Sequence, residues 1–171
     1  MERKVTVYMM LGLPGAGKST WARKNHPELD IIDFDEVAIE LGALKPNEKS
    51  IVDDRKMEMV KLAFREKIKE HAEIGKDFVI DAMNMFESSR NKIKELLRGF
   101  NIYWIYVWIK SPNLETNMMR RQGQVSKKAI IRMSKQFQAP LENEYNELMQ
   151  VKQIRDKEII EIKQGTYETR D

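Results

Sequence analysis

A three-layer α/β fold on a parallel sheet is what this chain of 171 residues predicts, and three observations predict it. Short apolar runs alternate with stretches whose apolar residues recur at helical spacing; a glycine-rich turn follows the first run; and the residues able to handle phosphates and protons stand where the runs end. Alternating strands and helices favour parallel pairing through right-handed crossovers, and ligands then bind beyond the carboxyl ends of the strands. The length suits one domain over 1–171 with a single core.

The run over 5–11 reads as a buried strand. Arg3 and Lys4 before it give a superficial likeness to a secretory leader, but the run passes straight into the turn with no cleavage site between them. That turn, Gly12-Leu13-Pro14-Gly15-Ala16-Gly17-Lys18-Ser19-Thr20, is a P-loop, G-x-x-x-x-G-K-[ST]. Its glycines let backbone N–H groups close on phosphate oxygens. Lys18 is expected to reach the β- and γ-phosphates of ATP and Ser19 to ligate Mg²⁺, while the helix predicted over 18–25 points its positive dipole end at the same anion. Gly12, Pro14, Gly15, Ala16, Gly17, Lys18, Ser19 and Thr20 are therefore the candidate nucleotide-binding residues.

Further along, 31–34 reads as the second strand, 44–50 as a loop around Lys45-Pro46-Asn47, and 51–74 as a long amphipathic helix with Met57, Val60, Phe64 and Ile68 on one face and Gly75 as its stop. Strands follow at 78–80 and 102–109, with a helix over 87–97 between them that ends near Gly99. The run at 102–109 is too short to span a bilayer. A final strand is predicted at 158–162, giving five parallel strands in the order 2-3-1-4-5, and the polar tail 164–171 is expected to fray. The eleven methionines suit flexible core filling.

The chain has no cysteine, so it carries neither disulfide nor thiolate site, and a reducing cytoplasm suits it. His26 and His71 stand far apart, which leaves oxygen ligation of a hard cation as the expected metal chemistry and disfavours zinc. The net charge is only +3, but over 110–135 seven lysines and arginines stand against Glu115 alone, a local excess of +6. Such a segment suits polyphosphate or nucleic acid, and equally a solvated helical face. It contains Arg120 and Arg121, the Gln122-Gly123-Gln124 break and a helix capped by Ser126, and reads as a lid over about 115–135. An arginine carried over the phosphates as a lid closes stabilises transition-state charge and excludes water.

The strand ends carry the carboxylates. Asp33 and Asp35 follow the second strand, where a carboxylate can take the proton of an attacking hydroxyl; Asp35 is the candidate base and Asp33 a candidate substrate contact, the competing use being a helix cap. The same stretch imitates the D-x-D-x-[TV] pattern of aspartyl-phosphate enzymes, which belongs on a first strand already taken by the P-loop. Asp81, ending the third strand, is placed to hold Mg²⁺ with Ser19. Asn84 and Arg90 are candidate acceptor contacts.

In combination these residues resemble the kinase domain of the 5′-polynucleotide kinases that heal nucleic-acid ends. Gly17-Lys18-Ser19-Thr20-Trp21-Ala22-Arg23 is similar to that family's P-loop helix, Asp35 stands where its base stands, Asp81-Ala82-Met83-Asn84 resembles its D-x-T-N element with Arg90 downstream, and Arg120 and Arg121 fall in its arginine-bearing lid. The resemblance covers about 5–162 and implies a three-layer P-loop kinase fold, ATP and Mg²⁺, and the 5′-OH of DNA or RNA as acceptor. Position 38 is alanine where that family usually has an arginine near the acceptor, and position 83 is methionine in place of its threonine. Donor chemistry thus carries over better than acceptor identity. The alternatives are a kinase acting on a small molecule, nucleoside, modified DNA base or aminoacyl-tRNA, and a nucleotide-binding ATPase switch.

Overall fold

Side-chain alternation along the strands divides the interior into two cores, one on each face of a single sheet. The computed structural model describes residues 3–46, 53–111, 113–121 and 125–169. Strand β1 (Val5–Leu11) turns Val5, Val7, Met9 and Leu11 to one face and Tyr8 and Met10 to the other. Helix α1 (Lys18–Asn25) covers the second face with Trp21 and Ala22. The first is covered by α2 (Phe34–Glu40), α3 (Asp54–Ile74) and α4 (Glu87–Leu96).

Helix α3 folds as it does because Val60, Phe64, Ile68 and Ala72 recur every fourth residue and are all buried, a single apolar stripe on an otherwise charged helix. Each large side chain of such a stripe contributes roughly 1.5–3 kcal/mol by burial. Asp53 caps the start, accepting from Arg55 N and Lys56 N, and Gly75 ends it at φ +75°, a left-handed conformation glycine adopts without a steric cost. The predicted start at 51 falls just outside the described residues, as do 47–50 of the predicted loop.

Strands β2 (Asp30–Asp33), β3 (Phe78–Asp81), β1, β4 (Ile102–Lys110) and β5 (Glu147–Ile154) are parallel and adjacent in that order. The predicted order 2-3-1-4-5 therefore holds, but the sheet has six strands rather than five. The run at 158–162 lies in β6 (Lys157–Gln164), the sixth strand, which is antiparallel; the true fifth is Glu147–Ile154. Between them Arg155 and Asp156 both take positive φ, 47° and 62°, closing a two-residue hairpin whose twist matches the strands it joins.

The segment predicted as a lid holds two helices, α5 (Leu114–Arg120) and α6 (Lys127–Gln136), the latter capped by Ser126 as predicted; the 122–124 break lies outside the described residues. After β6 the tail is held instead of fraying, over the residues described. Gly165 N donates to Asn146 O, Thr166 N to Glu142 O and Tyr167 N to Tyr145 O, because this stretch lies against the turn Glu142–Glu144 and buries Tyr145. No helix among the described residues is long and apolar enough to cross a membrane.

Candidate phosphate-binding site and catalytic cleft

The P-loop runs from the end of β1 into α1 and is shaped by backbone that only glycine tolerates. Gly17 sits at φ +99° as the N-cap of α1, and no described side chain caps that helix or places an acidic residue in its first turn. Its leading N–H groups and positive dipole end are thus presented to an anion. Gly15, at φ +77°, passes so near α5 that a Cβ there would stand 2.8 Å from the Asn117 carbonyl oxygen.

Lys18 is buried, and its Nζ donates to Gly12 O at 3.0 Å and Leu13 O at 3.1 Å. Burial lowers its pKa to about 8, with Arg121 pushing the same way and Asp81 against it. An ammonium so poorly solvated gains strongly from a phosphate. The Ser19 hydroxyl donates to Asp81 Oδ2 at 2.5 Å, bringing together the two predicted metal residues from α1 and the end of β3. Burial raises the Asp81 carboxyl, and the Ser19 hydrogen bond works in the other direction. A hydroxyl and one carboxylate beside a phosphate site suit Mg²⁺, which keeps waters and phosphate oxygens as its other ligands.

β2 delivers the other two carboxylates, and they divide the work. Asp33 Oδ1 accepts from Asp35 N at 2.8 Å and Glu36 N at 3.2 Å, so it is the N-cap of α2. Its Oδ1 is therefore engaged by backbone, and its first role is to fix the turn that carries Asp35. Asp35, freed from capping, lines the cleft. It keeps surface open to solvent, yet the walls around its carboxyl desolvate it and, with repulsion from Asp33, raise its pKa; Arg121 and Lys18 pull it down. A carboxyl balanced in this way suits a proton acceptor.

Helix α5 and the P-loop are in direct contact. Asn117 Nδ2 donates to Pro14 O at 2.8 Å and Arg120 Nη1 to Gly15 O at 3.1 Å, while Arg121 acts electrostatically on both Lys18 and Asp35. Asn117, fully buried, was not among the predicted residues. Asparagine inside a basic segment gives no signal of its own, since its importance comes from the close approach that Gly15 permits.

Arg90 corrects the expectation of an acceptor contact. It is wholly buried, pairs through Nε and Nη2 with Glu144, and donates from Nη1 to Asn84 O at 3.0 Å and Gln138 O at 2.9 Å. It therefore ties the loop after β3 to the segment after α6. Asn84, at φ 50°, lines the cleft but uses its amide to donate to Met10 O at 2.7 Å, which fixes the loop against β1. Ala38 is fully buried in the core, so position 38 does not face the cleft.

Lys18, Ser19, Asp33, Asp35, Asp81, Asn84, Arg120 and Arg121 border one cleft of about 1450 Å³ reaching from the P-loop to α3 and α4. Pockets for one drug-sized ligand span about 300–1,000 Å³, so there is room for a nucleotide and a second substrate.

A mixed six-stranded sheet of this order, with the glycine turn after its first strand and helices on both faces, is the P-loop kinase fold. Residues 7–140 match the model of a family described as an AAA domain, and the chain belongs to that family. Among solved structures it is similar to a sugar kinase from a Janibacter species, at 16% identity over 88% of this chain and 86% of that one with a TM-score of 0.58. A gluconokinase from Sinorhizobium meliloti gives 15%, 81%, 78% and 0.51. A shikimate kinase from Acinetobacter baumannii, in complex with shikimate, gives 16%, 78%, 76% and 0.51. No curated protein matches the chain by sequence.

Proposed function

We propose that this protein is an ATP-dependent phosphotransferase that moves the γ-phosphate to a hydroxyl of a small molecule. The observation that carries the reading is Asp35, a carboxylate on the cleft wall opposite the P-loop, released from helix capping by Asp33 and held with a raised pKa. A slow ATPase switch needs no acceptor base there. The names of the structural neighbours, a sugar kinase, a gluconokinase and a shikimate kinase, favour a small acceptor.

In this account Gly12, Gly15, Gly17 and the first turn of α1 cradle the phosphates, and Lys18 exchanges its two carbonyl partners for phosphate oxygens. Ser19 and Asp81 would hold Mg²⁺, which when bound would supply positive charge beside the phosphates. Asp35 takes the hydroxyl proton as the oxygen bonds to the γ-phosphorus and the bond from phosphorus to the β–γ bridging oxygen breaks. Arg120 and Arg121 lie at the P-loop, where their charge opposes that developing on the transferred group.

The second reading keeps the chemistry and makes the acceptor the 5′-OH of DNA or RNA. The basic segment over 110–135 favours it, since Lys127, Lys128, Arg132 and Lys135 are exposed along α6. Salt separates the two: a polynucleotide acceptor shows a KM that rises steeply with salt, and a small acceptor does not. The experiment is transfer from γ-labelled ATP to a panel of sugars, sugar acids, nucleosides and 5′-OH oligonucleotides at two salt concentrations. Label on small acceptors supports the main reading. Label on 5′-OH ends alone replaces it with the second.

A further inference from the structure

Beyond Asp35, away from the P-loop, the cleft is walled by α3 and α4, and this end differs in character from the rest. Helix α3 presents Met57, Lys61 and Arg65 to it, a stripe at intervals of four residues, and α4 presents Lys92. Between them Met83 and Phe86 form an apolar floor, 39% and 38% exposed. The acidic residues that line the cleft are elsewhere, with Asp33, Asp35 and Asp81 at the strand ends and Glu158 on β6. The Phe34 ring meets the Phe64 ring at 5.2 Å between centroids, so the residues next to Asp35 and Arg65 in sequence pack directly on each other. The base and this cationic wall therefore border the same space.

The charges on that wall are poorly compensated within the protein. Lys61 pairs with Glu58 at 3.2 Å, but among the described residues the side chains of Arg65 and Lys92 have neither an ion pair nor a hydrogen bond. Lys61 and Arg65, one turn apart on α3, repel each other. An anion between α3 and α4 would relieve that repulsion. A guanidinium offers paired N–H groups that match a carboxylate or phosphate, and Lys92 would add a point charge from the opposite side.

We infer that this end of the cleft is an anion subsite for the acceptor: the molecule that presents its hydroxyl to Asp35 also carries a carboxylate or phosphate group, bound by Arg65 and Lys92 with Lys61 beside them. An apolar body between hydroxyl and anion rests on Met83 and Phe86. The inference rests on the phosphotransferase reading for the identity of the hydroxyl end. The cations themselves can be tested apart from it.

The test is an NMR titration of uniformly ¹⁵N-labelled protein, saturated with Mg²⁺ and a non-hydrolysable ATP analogue so that the P-loop is filled. Inorganic phosphate is added in one series and acetate in another. Saturable shifts are expected at amides of residues 61–65 and 86–92, and the affinity should fall tenfold or more in an R65A/K92A variant. A K69A variant, which removes an exposed charge of α3 outside the cleft, should titrate as the unmodified protein does. Tighter phosphate binding assigns a phosphorylated acceptor, and tighter acetate binding a carboxylic acid. Absence of saturable shifts in those segments, or equal affinity in R65A/K92A, overturns the inference. If the ATP analogue itself does not bind, the phosphotransferase reading fails instead, and the same shifts in nucleotide-free protein still decide the role of Arg65 and Lys92.

Discussion

Replacing Lys18 with methionine should stabilise the nucleotide-free protein while abolishing nucleotide binding. The Lys18 ammonium is buried with its pKa lowered from 10.5 to about 8. At about 1.36 kcal/mol per unit, that gap corresponds to about 3 kcal/mol by which the folded state disfavours the charged lysine at neutral pH. Methionine fills similar space without charge but gives up donation to the Gly12 and Leu13 carbonyls, offsetting about 1 kcal/mol. The net gain of ~2 kcal/mol amounts to a Tm increase of about 4–8 °C for a domain of this size. Because the folded pKa lies below the unfolded one, the penalty is complete below pH 8 and fades as pH rises from about 8 to 10.5. Urea denaturation without nucleotide, at pH 7 and at several values up to 10.5, measures this directly. The variant should lead at pH 7, and its lead should shrink with rising pH. A variant less stable than the parent at pH 7, or a lead independent of pH, would refute the argument that burial of Lys18 stores energy for phosphate binding.

Asp35→Asn should leave Mg·ATP affinity within a factor of about two and lower turnover by roughly 10²–10⁴, read by single-turnover transfer. Since burial and Asp33 raise the Asp35 pKa, the acid limb of kcat/KM should lie above the ordinary carboxylate range of about 4 and move down in Asp33→Asn, which keeps the cap but removes the repelling charge. Arg90→Leu leaves Glu144 buried and unpaired and should cost about 3–5 kcal/mol in denaturation, with much of it recovered in R90L/E144L. Gly15→Ala drives a Cβ toward Asn117 O at 2.8 Å in a left-handed conformation; it should displace α5 and weaken nucleotide binding more than it lowers Tm.

The parts of this molecule legible in its sequence are those set by local pattern. Strand β1, helix α1 with its bounds, and the buried face of α3 follow from periodicity and from the glycine turn, and those signals act over a few residues. β5 was hidden because Glu147–Ile154 has neither a long apolar run nor a regular alternation of polar and apolar residues, and the hairpin that reverses the chain uses Arg155-Asp156 rather than a glycine pair. At the site, Lys18 and Ser19 line the cleft as the P-loop motif implied, and Asp35 and Asp81 line it as their places after β2 and at the end of β3 implied. Arg90 could not be read correctly, because its partner Glu144 lies 54 residues away and an arginine early in a helix looks the same whether it meets a phosphate or a buried carboxylate. Asn117 and the wall formed by Arg65 and Lys92 were equally invisible, since each takes its meaning from an element brought close only by the fold.

The most direct test of the central claim is single-turnover transfer from γ-labelled ATP with Mg²⁺, comparing the parent protein with Asp35→Asn on an acceptor panel of sugars, sugar acids, nucleosides and 5′-OH oligonucleotides. Label is expected on a hydroxyl acceptor with the parent, with almost none for the variant and equal ATP binding by both. Slow release of inorganic phosphate that no acceptor diverts, at the same rate in both proteins, would contradict it.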